Sequence, residues 1–184
     1  GILGPGIAQP QNLIASGPRD ERGRDLQARF GIAATTDNVA AVQGAQVVVL
    51  SVKPQVLPAV MPALRGHIAP DALVLSIVAG ARIDNISTGL GHTAVVRSMP
   101  NTPAQIGEGI TVWIAAAAVS AHQREQARLL LRALGQEIEA DHEDQHRPAD
   151  DLAVDAQAHR HGGVGHVRDP PDEAGVDQAD DGQE

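Results

Sequence analysis

The chain has 184 residues and no cysteine, which excludes disulfides, a thiolate nucleophile and thiolate metal ligands. Hydrophobic residues make up 42% of it and aromatic residues only 1%, Trp113 and Phe30, so its core has to be aliphatic. The net charge of −9 is unevenly spread: residues 1–140 hold 11 Lys and Arg against 10 Asp and Glu, and residues 141–184 hold 3 against 13. Neither part carries the basic face that a nucleic-acid partner requires, so none is expected. No apolar run reaches the roughly 18–20 residues of a membrane span, and no signal-peptide pattern opens the chain. No membrane association is expected, and the cytoplasm is the expected compartment. The first residue is Gly1 rather than Met, so a true start upstream is expected.

In chain order, Asn12–Ser16 is a short apolar run closed by Gly17-Pro18 and reads as a strand. Asp20–Phe30 opens with acids, which suit a helix N-terminus, and stops at Gly31. Ile32–Thr35 is a brief edge strand, and Asp37 caps a short helix through Gln43. Gln46–Val52 is continuously apolar, as in a strand covered on both faces. Pro54 opens a helical segment to about Leu64, with Pro58 and Pro62 expected to break or kink it. Leu73–Val78 is a buried strand that turns at Ala79-Gly80-Ala81. Ile83–Leu90 follows as a helix, then Thr93–Arg97 and Gly109–Ala116 as strands. Ser120 caps a helix over Ala121–Leu134, Gly135 stops it, and Gln136–Ala140 is the last strand. Such alternation predicts an α/β fold of the Rossmann type, a doubly wound and mostly parallel sheet with helices on both faces.

After Ala140 the pattern stops. Among the 44 residues of Asp141–Glu184 the large aliphatics are Leu152, Val154, Val164, Val167 and Val176. Too little surface can be buried there to offset chain entropy, so a disordered acidic tail without core contacts is expected. The abrupt change of composition suits translation in a shifted reading frame, and a natural acidic tail is the alternative. His159, His161 and His166 match no ligand spacing, so no metal site is assigned. The organisation expected is a nucleotide-binding domain over 1–140 and a tail over 141–184.

The candidate chemistry lies at strand ends. Gly4-Pro5-Gly6 is not a phosphate loop, because no strand precedes it, position 9 is Gln, and Pro10 blocks a following helix. Ser51-Val52-Lys53-Pro54, Val78-Ala79-Gly80 and Ser98–Thr102 follow three successive apolar runs. In a doubly wound sheet these loops lie side by side above a crevice. The third is stiffened by Pro100 and Pro103. At the end of the first strand no acid stands ready for a ribose 2′-hydroxyl. Ser16, Gly17, Pro18 and Arg19 offer a hydroxyl and a cation, which suit a 2′-phosphate; Asp20 beside Arg19 opposes it.

VVLSVKPQVL, LSIVAGARI and VVRSMPNTPAQIGEG, in this order and spacing, resemble pyrroline-5-carboxylate reductase over about Gly1–Ala140. The resemblance implies hydride transfer from NADPH, with NAD as the second option, to 1-pyrroline-5-carboxylate, giving L-proline. It implies that Ser16, Pro18 and Asn38 contact the adenosine end of the cofactor. Ser51, Val52, Lys53 and Pro54, with Ile77, Val78 and Ala79, would line the ribose and nicotinamide side, and Asn101 would stand near the ring. It also implies a homo-oligomer built through a helical domain, and nothing in Asp141–Glu184 resembles that domain or its substrate-holding segment. No catalytic residue is therefore assigned, and the 184-residue chain alone is expected to form no proline. An opening strand and glycine-rich loop would stand before Gly1, between Asn12–Ser16 and Gln46–Val52. Without them those two strands are expected to face each other across a gap or to collapse together. Dinucleotide affinity is expected to fall far below that of a complete domain. The alternatives are a non-catalytic nucleotide-binding fragment and another NADP-dependent reductase of related fold.

Overall fold

The computed structural model describes residue 3 and residues 6–101, 103–104 and 108–141. The expected tail and its histidines lie outside the described residues, as does most of Gly4-Pro5-Gly6. Twelve elements follow a 3₁₀ turn at Pro10–Asn12: β1 (Ile14–Ser16), α1 (Asp20–Phe30), β2 (Ala33–Thr35), α2 (Asn38–Val42), β3 (Val47–Leu50), α3 (Leu57–Leu64), β4 (Leu73–Ser76), α4 (Ile83–Leu90), β5 (Val95–Pro100), β6 (Gly109–Ala115), α5 (Ala121–Arg132) and β7 (Gly135–Glu139).

Local chemistry explains most boundaries. Asp37 Oδ1 accepts from the amides of Val39 (2.9 Å) and Ala40 (3.1 Å), which starts α2. Ser120 and Gln123 form a reciprocal capping box at the start of α5. Gly31 ends α1 at φ 68°, a left-handed position that glycine takes without a Cβ penalty. The helix expected from Pro54 instead begins at Leu57, after a turn in which the Leu57 amide donates to Pro54 O. Pro58 falls in its first turn, where the missing N–H costs nothing, and the helix continues over Pro62 to Leu64.

The strands form two sheets. β1 and β2 pair in parallel, and β3-β4-β5-β6-β7 form a second sheet. In it β3, β4 and β5 are mutually parallel, β5 and β6 antiparallel, and β6 and β7 parallel. The reversal at β5 decides where helices go. Right-handed connections put α3 and α4 on one face; β6 and β7 run the other way while the order continues, so α5 falls on the opposite face. There Gln123 Nε2 donates to Asp71 O at 3.0 Å, and the Arg128 guanidinium sits 5.7 Å from the Trp113 ring centre. Trp113 is buried, and its indole N–H donates to Glu137 Oε2 at 2.7 Å. Glu137 and Glu139 in turn meet Arg128 and Arg132, at 2.9 to 3.6 Å.

Several expectations need correction. β3 is not covered on both faces: Val48 and Leu50 are buried, but Val49 is 49% exposed. β3 is the edge of the larger sheet, with a strand partner on one side only. β5 does not stop at Arg97 but runs to Pro100, because Ser98, Met99 and Pro100 keep pairing with Trp113, Val112 and Thr111. Gly135 is the first residue of β7 rather than a stop before it. Its φ of 125° and the 2.2 Å that would separate a Cβ from Gly109 O admit no other residue without displacement. β1 is paired with β2 and shares no strand pairing with β3.

The one-sided burial of β3 has a measurable consequence. Val48→Ala is expected to lower the unfolding free energy by about 1–3 kcal/mol, as for the loss of two buried methyl groups. Val49→Ala should cost less than about 0.5 kcal/mol, as at a surface position. Urea denaturation of both variants checks this; equal losses would mean that β3 is covered on both sides.

Candidate functional site

The carboxyl ends of β3 and β4 point the same way and carry the loops singled out above. Beyond β3, Ser51, Lys53 and Pro54 are exposed and Val52 is half-buried. Beyond β4, Ile77 is half-buried and held by its amide to Leu50 O at 3.0 Å, which ties the two loops together. Val78 is only 2% exposed: its side chain lies in the core, and its amide donates to Ser76 Oγ. Ala79 is exposed before Gly80, whose φ of 72° makes the tight turn that brings backbone to the sheet edge.

Asn101 stands just past β5 and is part of a staple. Its Oδ1 accepts from the Ile110 amide at 3.0 Å, and its own amide donates to Ile110 O at 3.3 Å. Thr102 and residues 105–107 lie outside the described residues. One turn into the strand, Arg97 is 6% exposed. Burial first, and the Arg82 guanidinium second, hold its pKa below the ordinary arginine range. A guanidinium starts so basic that Arg97 keeps its charge at neutral pH. The sequence had marked this residue only as a strand end; its burial is visible once β5 is seen to be paired on both sides.

At the smaller sheet, Ser16, Gly17, Pro18 and Arg19 line a pocket with Asp20, Arg22 and Arg24 of α1, with Thr35 at the end of β2 and with Thr36 just beyond it. Ser16, Pro18 and Arg19 thus line one pocket. Asn38, half-buried, is the first residue of α2 and is not part of the pocket lining. Arg22, Thr35 and Thr36 were missed. Arg22 is one helical turn beyond Arg19, and the two threonines close a strand parallel to β1, with Thr35 paired to Ser16, a placement only the pairing reveals. The ion pairs of α1 join Arg22 to Asp25 (2.5 Å), Arg24 to Asp20 and Arg29 to Asp25 (3.4 Å), and none takes up Arg19. A hydroxyl-lined pocket with an uncommitted cation suits an anionic group such as a sugar phosphate.

A mostly parallel sheet with helices on both faces and polar loops gathered at its strand ends is a Rossmann-type nucleotide-binding domain. The family described as NADP oxidoreductase, coenzyme F420-dependent, matches residues 1–80. Pyrroline-5-carboxylate reductase of Pseudomonas aeruginosa is 42% identical over 136 residues, 73% of this chain and 50% of that one. The Synechocystis enzyme of the same name is 36% identical over 130 residues, 71% and 48% of the two chains. Among solved structures, a pyrroline-5-carboxylate reductase from Coxiella burnetii matches with a TM-score of 0.74 at 26% identity, covering 88% of this chain and 63% of that one. The Plasmodium falciparum enzyme, solved with NADP bound, matches at 0.70 and 20% identity over 88% and 57%, which speaks to the fold alone. So does prephenate dehydrogenase of Aquifex aeolicus, at 0.55 and 13% over 70% and 49%. The chain is similar to the NADP-binding domain of pyrroline-5-carboxylate reductases, as its motifs implied. It spans about half the length of the curated relatives it matches. Among the described residues no helix is long and apolar enough to cross a membrane.

The Asn101 staple can be tested directly. Asn101→Ala is expected to cost about 1 kcal/mol, one hydrogen bond, and to speed hydrogen exchange at the Ile110 amide. Asn101→Asp keeps the acceptor and should leave that amide protected. Unchanged exchange in Asn101→Ala would show that the side chain does not hold the turn.

Proposed function

We propose that residues 1–140 form the cofactor-binding part of a pyrroline-5-carboxylate reductase, an NAD(P)H-dependent oxidoreductase that takes NADPH, with NAD(H) as the second option. The observation that carries this reading is the pocket at the end of β1: a hydroxyl and a cation where an NAD-type site places an acid. It stands in a chain whose relatives bear that enzyme name.

The residues present fit a dinucleotide. Arg19, Ser16 and Thr35 would hold a 2′-phosphate, with Pro18 and Asn38 bounding the adenosine. Ser51 to Pro54 would line the ribose and nicotinamide side, where Lys53 supplies a second cation. Ile77, Ala79 and the backbone of Val78 would form the wall against the nicotinamide, and Asn101 would offer its N–H₂ to the ring's carboxamide. When bound, the dinucleotide supplies a hydride from C4 of the nicotinamide to the imine carbon of 1-pyrroline-5-carboxylate. The protein's part is to fix the ring's position and shield one of its faces. No residue of the chain is assigned a proton-transfer role. The small-molecule substrate and a homo-oligomer of the intact enzyme belong to the same proposal, as does the division into a domain over 1–140 and a tail.

A chimera tests it: residues 6–141 replace the matching part of the Pseudomonas aeruginosa enzyme. It is expected to form proline from 1-pyrroline-5-carboxylate and NADPH above a no-enzyme control. Arg19→Gln in the chimera should raise the KM for NADPH over that for NADH by roughly fivefold, the worth of one exposed charge-assisted contact at about 1 kcal/mol. A chimera that folds and binds NADPH yet makes no proline would contradict the substrate. An unchanged KM ratio would contradict the role of Arg19.

A further inference from the structure

We propose that Arg24, acting through its ion pair with Asp20, sets the preference of the β1-end pocket for a 2′-phosphorylated ribose over a 2′-hydroxyl one. The proposal rests on reading that pocket as the adenosine end of a dinucleotide site, and it assigns a specificity role to a residue that need not touch the nucleotide.

Two opposed chemistries stand side by side in the pocket. Arg19 is a cation that no ion pair of α1 takes up, and Asp20, the next residue, is a carboxylate lining the same space. An acid in this region accepts a ribose 2′-hydroxyl, whereas an arginine accommodates a 2′-phosphate. A carboxylate with its charge uncompensated would accept the hydroxyl and repel the phosphate. Which cofactor is favoured therefore depends on whether the charge of Asp20 is offset.

Arg24 offsets it. Its Nε donates to Asp20 Oδ2 at 3.1 Å, and its Nη2 contacts the same oxygen. The two residues are four apart on α1 with the acid nearer the N-terminus, the favourable order for a helical ion pair. Nothing on α1 stands ready to replace Arg24, because Arg22 is engaged with Asp25, and so is Arg29. Both partners are highly exposed, 73% and 70%, so the pair is weak and salt-sensitive. Its effect on the phosphate-to-hydroxyl preference is accordingly about two- to fivefold at low salt. The cost that Asp20 imposes on a phosphate neighbour is thus reduced by one turn of helix.

The test uses the ¹⁵N-labelled 184-residue chain, titrated with 2′,5′-ADP and separately with 5′-AMP, with affinities read from the amide shifts of Ala15–Thr36. The quantity is the ratio of the two dissociation constants. Arg24→Gln is expected to shift the ratio away from 2′,5′-ADP by about two- to fivefold, and added salt should shrink the shift. Asp20→Asn should move it toward 2′,5′-ADP, and Asp20→Asn added to Arg24→Gln should abolish the loss. A merely structural role for Arg24 would weaken both nucleotides alike and leave the ratio unmoved, which would overturn the proposal. So would a double variant that keeps the loss. If neither nucleotide shifts any amide of Ala15–Thr36, the pocket is not a nucleotide site, and the proposal falls with that reading.

Discussion

Everything described here hangs on β4. None of its four residues exceeds 3% exposure, and it is paired in parallel register with β3 on one side and β5 on the other. A strand closed on both edges and both faces has no freedom to slip, since a one-residue shift would turn every side chain to the wrong face. Its fixed register sets the heights at which β3, β4 and β5 end. Those heights determine which loops meet: Ile77 bonds back to Leu50 O, and Ser98 Oγ donates to Ser76 O at 3.2 Å. The meeting of these loops is thus a by-product of core pairing, and their chemistry can vary without disturbing the sheet that builds them.

Stability is distributed unevenly around that strand. The five-stranded sheet is sandwiched by α3 and α4 on one face and by α5 on the other, and Trp113 with its Glu137 acceptor anchors the second layer. β1, α1 and β2 contain no buried residue and share no strand pairing with the larger sheet. Gly23 lets α1 approach Ala34 closely, a Cβ there being 3.2 Å from the Ala34 methyl, but glycine inside a helix costs about 1 kcal/mol against alanine. The pocket at the end of β1 therefore sits on the weaker unit, and the loops beyond β3 and β4 sit on the stronger. A dinucleotide reaching across both would join them.

Much of this was legible in the sequence, for identifiable reasons. Caps are local, so Asp37, Ser120 and Gly31 mark their helix ends without help from the rest of the chain. Apolar runs such as Leu73–Val78 announce buried strands. The open face of β3 was not legible, because Gln46–Val52 reads as doubly covered whether or not a neighbour covers it. The continuation of β5 through Pro100 was hidden too: proline ends most strands, and only the pairing with Thr111 shows that this one tolerates it. At the site, Ser16 and Arg19 followed from their place after a strand. Arg22, Thr35 and Thr36 did not, because they join the pocket only through the packing of α1 on β1 and β2. The compensation of Asp20 by Arg24 is a spacing of four residues, visible in the sequence but without meaning until both side chains were seen at one pocket.

The central claim is that one nucleotide lies across the carboxyl ends of β1, β3 and β4. The most direct measurement is a set of intermolecular nuclear Overhauser contacts between NADPH and the methyl-labelled chain. The account predicts contacts from the nicotinamide protons to Ile77, Val52 and Ala79, and from the adenine protons to residues around Ser16–Arg19. Contacts that instead cluster on α5, on β7 or on the open face of β3 at Val49 would contradict it.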